Sequence, residues 1–378
     1  MTEETSLRVL FLTLYPETMP SSRLRVYQYL PYLKQAGIEA VVRPSLPEPW
    51  FSRFYFSKVP GIHWIQFAAE AVGSVWRLRE ARRYDVIFVQ KGILSTSLKG
   101  FDRLVGNPKG ALLFDLDDLV YGRCLTEFSV PWLRALQDPG QTVKISARSF
   151  AVIAGNSYLR DLAFRYNSNA HLIPTPVDTN RFVPRERNEK GPRPVVIGWM
   201  GVEATLGYLR SLEAVFRALA RRYAIQLKIV SRKSQRNFSL NGVPVKFETW
   251  SYENEVNELA DFDIGIAPLG SDEWARAKCG LKLLQCMAMG LPTVSTRFGT
   301  HCDIVEDGVD GFLAGTAEEW EEKLSVLIEN ADRRKQMGEA ARKKVLAQYS
   351  LEKTAPQLIE LLKCAAGRRT PSCETLKA

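Results

Sequence analysis

Two lysines and one glutamine in the C-terminal half of the sequence have the types and spacing that suit anion chemistry. The segment RAKCGLKLLQCMAMGLP (276–292) has the apolar content of a buried helix, yet Lys278, Lys282 and Gln285 fall at i, i+4 and i+7. This spacing predicts that the three side chains share one helix face. Two ammonium groups at an electropositive helix N-terminus are unfavourable without a counter-charge, which favours a diphosphate site. Lysines that extend to water beside a core helix are the structural alternative.

The elements around these residues predict an α/β protein. Short runs rich in Val, Ile and Leu alternate with helical patterns through both halves of the chain, as in parallel sheets buried on both faces. The lysine segment follows one such run, DIGIAPL (263–269). Because ligands of open α/β sheets bind at the carboxyl ends of strands, this position is suited to a site.

The length of the chain, 378 residues, exceeds what one hydrophobic core usually supports, so two domains are expected. A polar stretch with prolines, VPRERNEKGPRP (183–194), separates the two halves and is interpreted as the linker. We therefore predict an N-terminal domain at 1–188, a C-terminal domain at 189–350, a C-terminal helix at 351–366 and a disordered tail at 367–378.

The bulk composition narrows the class of protein. No apolar run reaches the roughly 18 residues of a membrane span, and MTEETS has no secretory signature. Six scattered cysteines indicate reduced thiols, so we expect a cytoplasmic protein. Three separate histidines provide no zinc site. The net charge of +9 lies mainly in residues 1–190, where 25 Lys and Arg outnumber 18 Asp and Glu, which favours an anionic partner.

Several segments resemble one enzyme family. The stretch FDIGIAPLGSDEWARAKCGLKLLQCMAMGLPTVSTRFGTHCDIVEDGVDGFL resembles the donor-binding segment of family-four, or group 1, glycosyltransferases. IGWMGVEATLGYL is similar to the first strand and turn of their C-terminal domain, and SSRLRVYQYLPYLKQAGIEA to their first N-terminal loop and helix. The resemblance covers roughly residues 7–350. It implies the α/β GT-B fold, two doubly wound Rossmann-like domains facing a central cleft.

One departure from the family pattern concerns its acidic residues. The common pattern has two glutamates separated by seven residues, and these positions are Ala277 and Gln285 here. The variant KCGLKLLQ resembles a subgroup in which Lys278, Lys282 and Gln285 replace that pattern. An amide both donates and accepts hydrogen bonds, so Gln285 can still bind a ribose or sugar hydroxyl. We expect the lysines to supply positive charge, because the family's Arg and Lys clamp after the first C-terminal strand is also absent.

The resemblance extends the donor site beyond these three residues. A turn at Gly198–Gly201 is expected to close over the donor. The predicted donor-binding residues are Gly198, Trp199, Gly201, Lys278, Lys282, Gln285, Gly299 and Thr300. Catalytic roles are predicted for Asp117, Asp118 and Lys282.

Three aspartates, Asp115, Asp117 and Asp118, end the strand-like segment LLFDLDDLVYG (112–122). The family's corresponding strand end faces the reaction centre, so Asp117 or Asp118 is expected to contact the transferred sugar or the acceptor hydroxyl. A D-x-D pair can alternatively hold Mg²⁺ or Mn²⁺. The alternative without a catalytic role is that one of these aspartates caps a helix or stabilises a turn.

The loop after the first strand contains basic residues at a predicted helix over 21–36. Ser21 or Ser22 is interpreted as its N-cap, and Gly37 as its C-terminal cap. Ser22, Arg23 and Arg25 are predicted to bind a phosphate or the acceptor, and a surface ion pair is the alternative for the arginines.

Aromatic and basic residues are interleaved in the segment 50–83, WFSRFYFSKVPGIHWIQFAAEAVGSVWRLREARR. A helix of this composition can lie on an anionic bilayer. Single-stranded nucleic acid also binds such surfaces, and burial of the aromatic residues in a core is the third interpretation. Membrane contact is the prediction made here.

The combined prediction is an enzyme that transfers a sugar from a nucleotide-diphosphate sugar to a hydroxyl, in cell-surface polysaccharide or glycolipid assembly. Retention of anomeric configuration follows from the resemblance alone. Expected partners are the donor, a lipid-linked or glycan acceptor and the inner face of the cytoplasmic membrane, without nucleic acid, cofactor or obligatory metal. A catalytically silent nucleotide-sugar binder is the alternative that the lost glutamates support. A sugar epimerase of the same fold is disfavoured by the scattered histidines.

Overall fold

The computed structural model describes residues 6–367, apart from residues 56 and 123 and the segments 58–61, 105–109, 125–130, 186–192 and 233–237. The chain forms two compact units. The first unit runs through Pro176 and resumes at Thr354, and the second is Val177–Lys353. The expected boundary after residue 188 and the tail from residue 368 lie outside the described residues.

The first unit contains a six-stranded, fully parallel sheet. Its strands are β1 (Leu7–Thr13), β2 (Ile38–Pro44), β3 (Val86–Gln90), β4 (Ala111–Leu116), β5 (Ala151–Ala154) and β6 (Ala170–Leu172). They lie in the order β2-β1-β3-β4-β5-β6. Every residue of β3 is buried, because helices cover both faces of a parallel sheet. The short strand β6 was not predicted from the sequence.

Helices connect these strands. They are α1 (Pro20–Arg25), α2 (Leu30–Gln35), α3 (Trp50–Tyr55), α4 (Ile62–Glu80), α5 (Phe101–Leu104), α6 (Pro131–Arg134), α7 (Gln141–Arg148) and α8 (Ser157–Phe164). The single helix predicted over 21–36 is therefore two helices, with a 3₁₀ turn between them. The N-cap of α1 is Met19 and Pro20 follows it, so the prediction of a serine cap is wrong. Gly37 does end α2 with a positive φ of 73°, which glycine adopts without steric cost.

The second unit contains another six-stranded parallel sheet. Its strands are β7 (Val195–Gly201), β8 (Ile225–Ser231), β9 (Val245–Thr249), β10 (Ile264–Ala267), β11 (Thr293–Thr296) and β12 (Phe312–Ala314), in the order β12-β11-β10-β7-β8-β9. The helices of this unit are α9 (Leu206–Arg210), α10 (Glu213–Arg222), α11 (Glu255–Ala260), α12 (Glu273–Arg276), α13 (Leu281–Ala288), α14 (His301–Ile304), α15 (Ala317–Glu329) and α16 (Ala331–Lys344). Most of the last helix, α17 (Leu351–Ala365), belongs to the first unit.

Each sheet has one point where the chain turns from one side of the sheet to the other. In the first unit this point lies between β1 and β3, and in the second between β7 and β10. Loops leave the carboxyl ends of these two strands in opposite directions, which opens a crevice for ligands. The residues that follow these four strands are therefore the first candidates for a site. Among the described helices, none is both long and apolar enough to cross a membrane.

The close approach of α16 to the end of α13 gives a prediction about stability. A β-carbon on Gly338 would lie 1.9 Å from the carbonyl oxygen of Gly290, and a backbone atom cannot rotate away. We expect Gly338→Ala to lower the free energy of unfolding by about 3 kcal/mol, measured by urea denaturation. Gly207→Ala is the matched control, because nothing lies within 4 Å of its β-carbon position. An equal loss in both variants would contradict the packing argument.

Candidate functional site

The loop and helix after β10 form the centre of the candidate donor site. Asp272 caps α12 through a 2.7 Å hydrogen bond from the Ala275 amide to its Oδ1. Gly280 then adopts a left-handed conformation at φ 66°, and α13 begins at Leu281. Lys278 thus lies before the helix, so the predicted single face for Lys278, Lys282 and Gln285 is wrong. The KCG glycine was the signal for this break, since a residue with positive φ interrupts a helix.

The two lysines nevertheless remain close neighbours. Burial, together with the positive charge of Lys278, lowers the pKa of Lys282 to about 8. Each ammonium group lies over an aromatic ring: the Lys282 Nζ is 5.3 Å from the centre of Trp199, and the Lys278 Nζ is 3.6 Å from the centre of Trp274. Lys282 is half-buried and has no carboxylate partner among the residues that the structure describes. A desolvated cation without a counter-ion is costly, so an anionic ligand would stabilise it.

Gln285 lies on the first turns of the same helix. Its side chain is buried and makes no hydrogen bond within the described part of the chain. Donor and acceptor atoms of Gln285 are therefore available to a ligand at the start of α13.

The residues Gly198–Gly201 belong to β7 and do not form the predicted turn. A β-carbon on Gly198 would lie 2.0 Å from the Phe262 ring, and one on Gly201 would lie 1.9 Å from the Trp199 ring. Both glycines thus make room for aromatic rings. Trp199 is itself buried, and its ring lies between Gly201 and the Lys282 ammonium group. It supports the cation at the carboxyl end of β7.

The segment from Gly299 to His301 packs against the same loop. Gly299 has a positive φ of 56°, and its β-carbon position lies 3.2 Å from the Arg276 Cα. A β-carbon on Gly280 would meet the Ile304 Cδ1 at 2.5 Å and the Thr300 Cγ2 at 3.2 Å. Only glycine therefore fits at position 280 beside α14. This contact places the predicted donor residues Gly299 and Thr300 next to the start of α13.

The sequence analysis did not single out His301. Its ring is buried and hydrogen-bonded to the Thr296 backbone, whereas its Nδ1 has no hydrogen-bond partner within the described chain. Desolvation lowers the pKa of His301 to about 4, so the ring is neutral at pH 7 and Nδ1 can only accept a hydrogen bond. No pattern in the sequence signalled this residue, because its proximity to Gly280 depends on the packing of α14.

A second polar cluster lies in the first unit, at the carboxyl ends of β1, β3 and β4. Thr13, Gln90 and Asp115 are aligned across these three strands. The Lys91 ammonium lies 3.2 Å from the Asp117 Oδ1 and 3.8 Å from the Asp118 Oδ2. Lys91 thus supplies a positive charge to both Asp117 and Asp118. Among the described residues, no three His, Cys, Asp or Glu side chains form a group that could hold a metal ion.

Asp117 is held in its ionised form. Burial opposes ionisation, yet Lys91 and a 2.5 Å hydrogen bond from the Ser21 hydroxyl together lower the pKa of Asp117 below its usual value. The Gln90 amide in turn donates to the Ser21 hydroxyl at 2.8 Å. Asp117 is therefore a hydrogen-bond acceptor at neutral pH and does not serve as a general acid. Asp118 is half-buried and lies beside it.

Lys91 was also missed by the sequence analysis. It has a positive φ of 64° although it is not glycine, and such a conformation costs of order 1 kcal/mol or more. Its side chain is buried, and the two carboxylates raise its pKa against the effect of desolvation. The signal in the sequence was a charged residue directly after the buried strand VIFVQ. The strained backbone is visible only in three dimensions.

The basic residues of the loop after β1 have different positions. The Arg25 guanidinium is buried against Asp115, with Nε at 3.2 and 3.1 Å from its two oxygens, and it donates to the Ile173 carbonyl at 2.8 Å. Arg25 is therefore a buried structural partner of β4, which neither proposed role anticipated. The Ser22 hydroxyl is buried and donates to the Gln90 side chain. Arg23 remains half-buried near the start of α1.

Comparison with solved structures identifies the fold. A glycosyltransferase of Rickettsia africae superposes with a TM-score of 0.67 at 14% identity, covering 97% of this chain and 100% of that one. The Anabaena protein HepE, solved in complex with UDP, gives 0.66 at 16% identity over 95% and 100% of the two chains. The two parallel sheets are thus the Rossmann-like domains of a GT-B protein, and the predicted fold class is confirmed.

Comparison of sequences identifies the second unit more closely. Residues 191–330 match the family model "Glycosyl transferases group 1", so this segment of the chain is similar to the domain of that family. A probable sucrose-phosphate synthase of Thermosipho melanesiensis is 25% identical over 223 residues, which are 55% of this chain and 50% of that protein. The chain therefore spans about half the length of this curated relative.

The buried pair of Arg25 and Asp115 leads to a prediction. Arg25→Met leaves the Asp115 carboxylate buried without its partner, and we expect the free energy of unfolding to fall by about 3–5 kcal/mol. Adding Asp115→Leu should restore most of this loss, because no buried charge then remains. Chemical denaturation measures both effects. The control is the exposed pair of Arg43 and Glu80, where Arg43→Met should lower the free energy of unfolding by less than about 1 kcal/mol. If Arg25→Met and Arg43→Met lower it by similar amounts, Arg25 is not a buried structural partner of Asp115.

Proposed function

We propose that this protein is a glycosyltransferase that moves a sugar from a nucleotide-diphosphate donor to a hydroxyl acceptor. The main observation in support is the unpaired, half-buried Lys282 at the start of α13. This helix follows a strand at the turning point of the sheet and lies inside the matched segment 191–330. A diphosphate is the ligand that satisfies both the free helix N–H groups and the ammonium charge.

The proposed chemistry is mainly electrostatic. As the bond between the sugar and the diphosphate breaks, negative charge grows on the leaving oxygen. Lys278, Lys282 and the first amides of α13 stabilise that charge, which is the kind of contribution that lowers the barrier most in such sites. Gln285 binds a ribose or sugar hydroxyl. In this proposal no metal ion is needed, and the anomeric configuration is retained, as the resemblance to the family suggests.

The first unit binds the acceptor in this proposal. The ionised Asp117 accepts a hydrogen bond from the attacking hydroxyl, while Lys91 and Ser21 hold the carboxylate in position. Asp118 accepts a second hydroxyl. An acceptor rich in hydroxyl groups, such as a glycan or a lipid-linked sugar, suits this pair of carboxylates. Assembly of a cell-surface polysaccharide or glycolipid at the cytoplasmic membrane is the proposed setting.

The first experiment is a donor panel. Crystal structures of the Anabaena protein HepE contain UDP, UDP with glucose, and UDP-glucose, so UDP-sugars are tested before GDP- and ADP-sugars. We expect slow release of the nucleoside diphosphate from one donor. Lys282→Met should lower that rate about 100-fold, the typical cost of losing one electrostatic stabiliser. Lys246→Met is the control, because Lys246 is an exposed lysine of the same unit paired with Glu248.

The competing function is a catalytically silent nucleotide-sugar binder. Its support is the presence of Ala277 and Gln285 where the family pattern has glutamates. The binder is supported if the protein binds one nucleotide sugar tightly but does not turn it over, even when glycan and lipid-linked acceptors are present. That result would contradict the proposed transferase activity. Equal turnover in Lys282→Met and the unmodified protein would reject Lys282 as the diphosphate ligand.

The pKa of Lys282 makes diphosphate binding dependent on pH. The free side chain loses its proton near pH 8, so between about pH 7 and pH 9 most molecules lose the ammonium that binds the phosphates. We expect the affinity for UDP to fall about tenfold over this range, measured by isothermal titration calorimetry. Lys282→Arg keeps its charge and should abolish the pH dependence. A pH dependence that survives this substitution would assign the effect to another group.

A further inference from the structure

Helix α4 buries several polar residues and exposes most of its large apolar residues. The buried side contains Glu70, Ser74 and Arg77. The Ser74 hydroxyl donates to the Glu70 carbonyl at 2.7 Å, and the Arg77 guanidinium donates to the Ile93 carbonyl at 3.0 Å. The Glu70 carboxylate accepts from the Ser95 hydroxyl at 2.9 Å. The Ser74 bond lies within the helix, whereas the bonds of Arg77 to Ile93 and of Ser95 to Glu70 anchor the inner face to the segment after β3. The helix cannot turn its apolar side inward without breaking these two bonds.

The opposite side of α4 is apolar and exposed to solvent. Its largest members are Ile65, Val72 and Trp76, which are 61%, 62% and 68% exposed. The outer face, as we call this surface, consists of Ile65, Ala68, Ala69, Val72, Val75, Trp76 and Arg79. These positions recur at intervals of three and four residues, so they form one stripe along the helix. A surface helix of a soluble domain has the reverse arrangement, and a continuous apolar stripe in water indicates a missing partner.

The charges around the outer face are positive. Arg79 and Arg82 are exposed and form no ion pair within the described part of the chain. The nearby carboxylate of Glu80 is paired with Arg43. The neighbouring helix α3 adds a Trp50 ring that is 51% exposed and an Arg53 guanidinium 5.9 Å from that ring. The surface thus combines apolar side chains, exposed tryptophans and unpaired arginines.

We propose that the outer face of α4 binds the surface of a bilayer that contains anionic lipids. Apolar side chains enter the boundary between headgroups and acyl chains, tryptophans lie at the headgroup level, and arginines pair with lipid phosphates. A second copy of this chain is a poorer occupant. The outer face has no acidic residue to meet the arginines of a partner copy, whereas an anionic bilayer supplies that charge along its whole surface. This proposal does not depend on the catalytic activity.

The test is flotation of the full-length protein with vesicles of phosphatidylcholine, with or without phosphatidylglycerol. We expect strong binding only when the anionic lipid is present, and weaker binding as salt rises. The double variant Val72→Ser/Trp76→Ser removes apolar contact and should weaken binding more than about tenfold. The variant Arg79→Gln/Arg82→Gln should weaken it about fivefold for each arginine, on anionic vesicles only.

A control variant distinguishes binding through the outer face of α4 from nonspecific hydrophobic adsorption to vesicles. Phe164, on α8, is 58% exposed, and Phe164→Ser should leave vesicle binding unchanged. The substituted side chains are exposed, so the thermal unfolding temperature of each variant should match that of the unmodified protein. If Val72→Ser/Trp76→Ser misfolds, the vesicle binding of Arg79→Gln/Arg82→Gln tests the proposal instead. No vesicle binding by the unmodified protein overturns the proposal. The proposal is also overturned if sedimentation analysis shows a dimer that Val72→Ser/Trp76→Ser converts to a monomer, because a second copy of the chain then covers the outer face.

Discussion

Both units depend on one constraint, the parallel direction of every strand in the two sheets. Strands buried on both faces have mostly apolar side chains in their middle, so most polar residues lie at the ends. Parallel strands then bring all their carboxyl ends to one edge. In the first unit this edge collects Ser21, Lys91 and Asp117, and in the second it collects the loop before α13. The candidate chemistry of each unit follows from this arrangement.

The two units use lysine in opposite ways. Lys91 is buried between carboxylates, which raise its pKa, and it fixes the position and charge of Asp117. Lys282 is partly desolvated, has a second lysine beside it and has a lowered pKa. The charge of the first lysine is already neutralised by Asp117 and Asp118, so this lysine holds the two carboxylates in place. The second retains an uncompensated charge, which suits a ligand that brings its own negative charge.

Polar groups also decide the orientation of α4. Its inward Glu70, Ser74 and Arg77 all form hydrogen bonds, and a buried charged group without partners would cost several kcal/mol. The apolar residues are left on the outside as a consequence. Interleaved aromatic and basic residues in the sequence showed that this segment was unusual. They could not show which side of the helix faces the solvent.

The sequence determined the parts of this protein that depend on neighbouring residues. Runs of Val, Ile and Leu predicted most strands of both sheets, and the motif around Lys282 and Gln285 located the start of α13, because hydrophobic periodicity and helix-end chemistry are local. Only the tertiary structure decided the pairing of Arg25 with Asp115 and of Ser21 with Asp117, residues separated by 90 and 96 positions. It also decided the burial of Lys91. These features arise where distant segments pack together, and no local pattern specifies which segments meet.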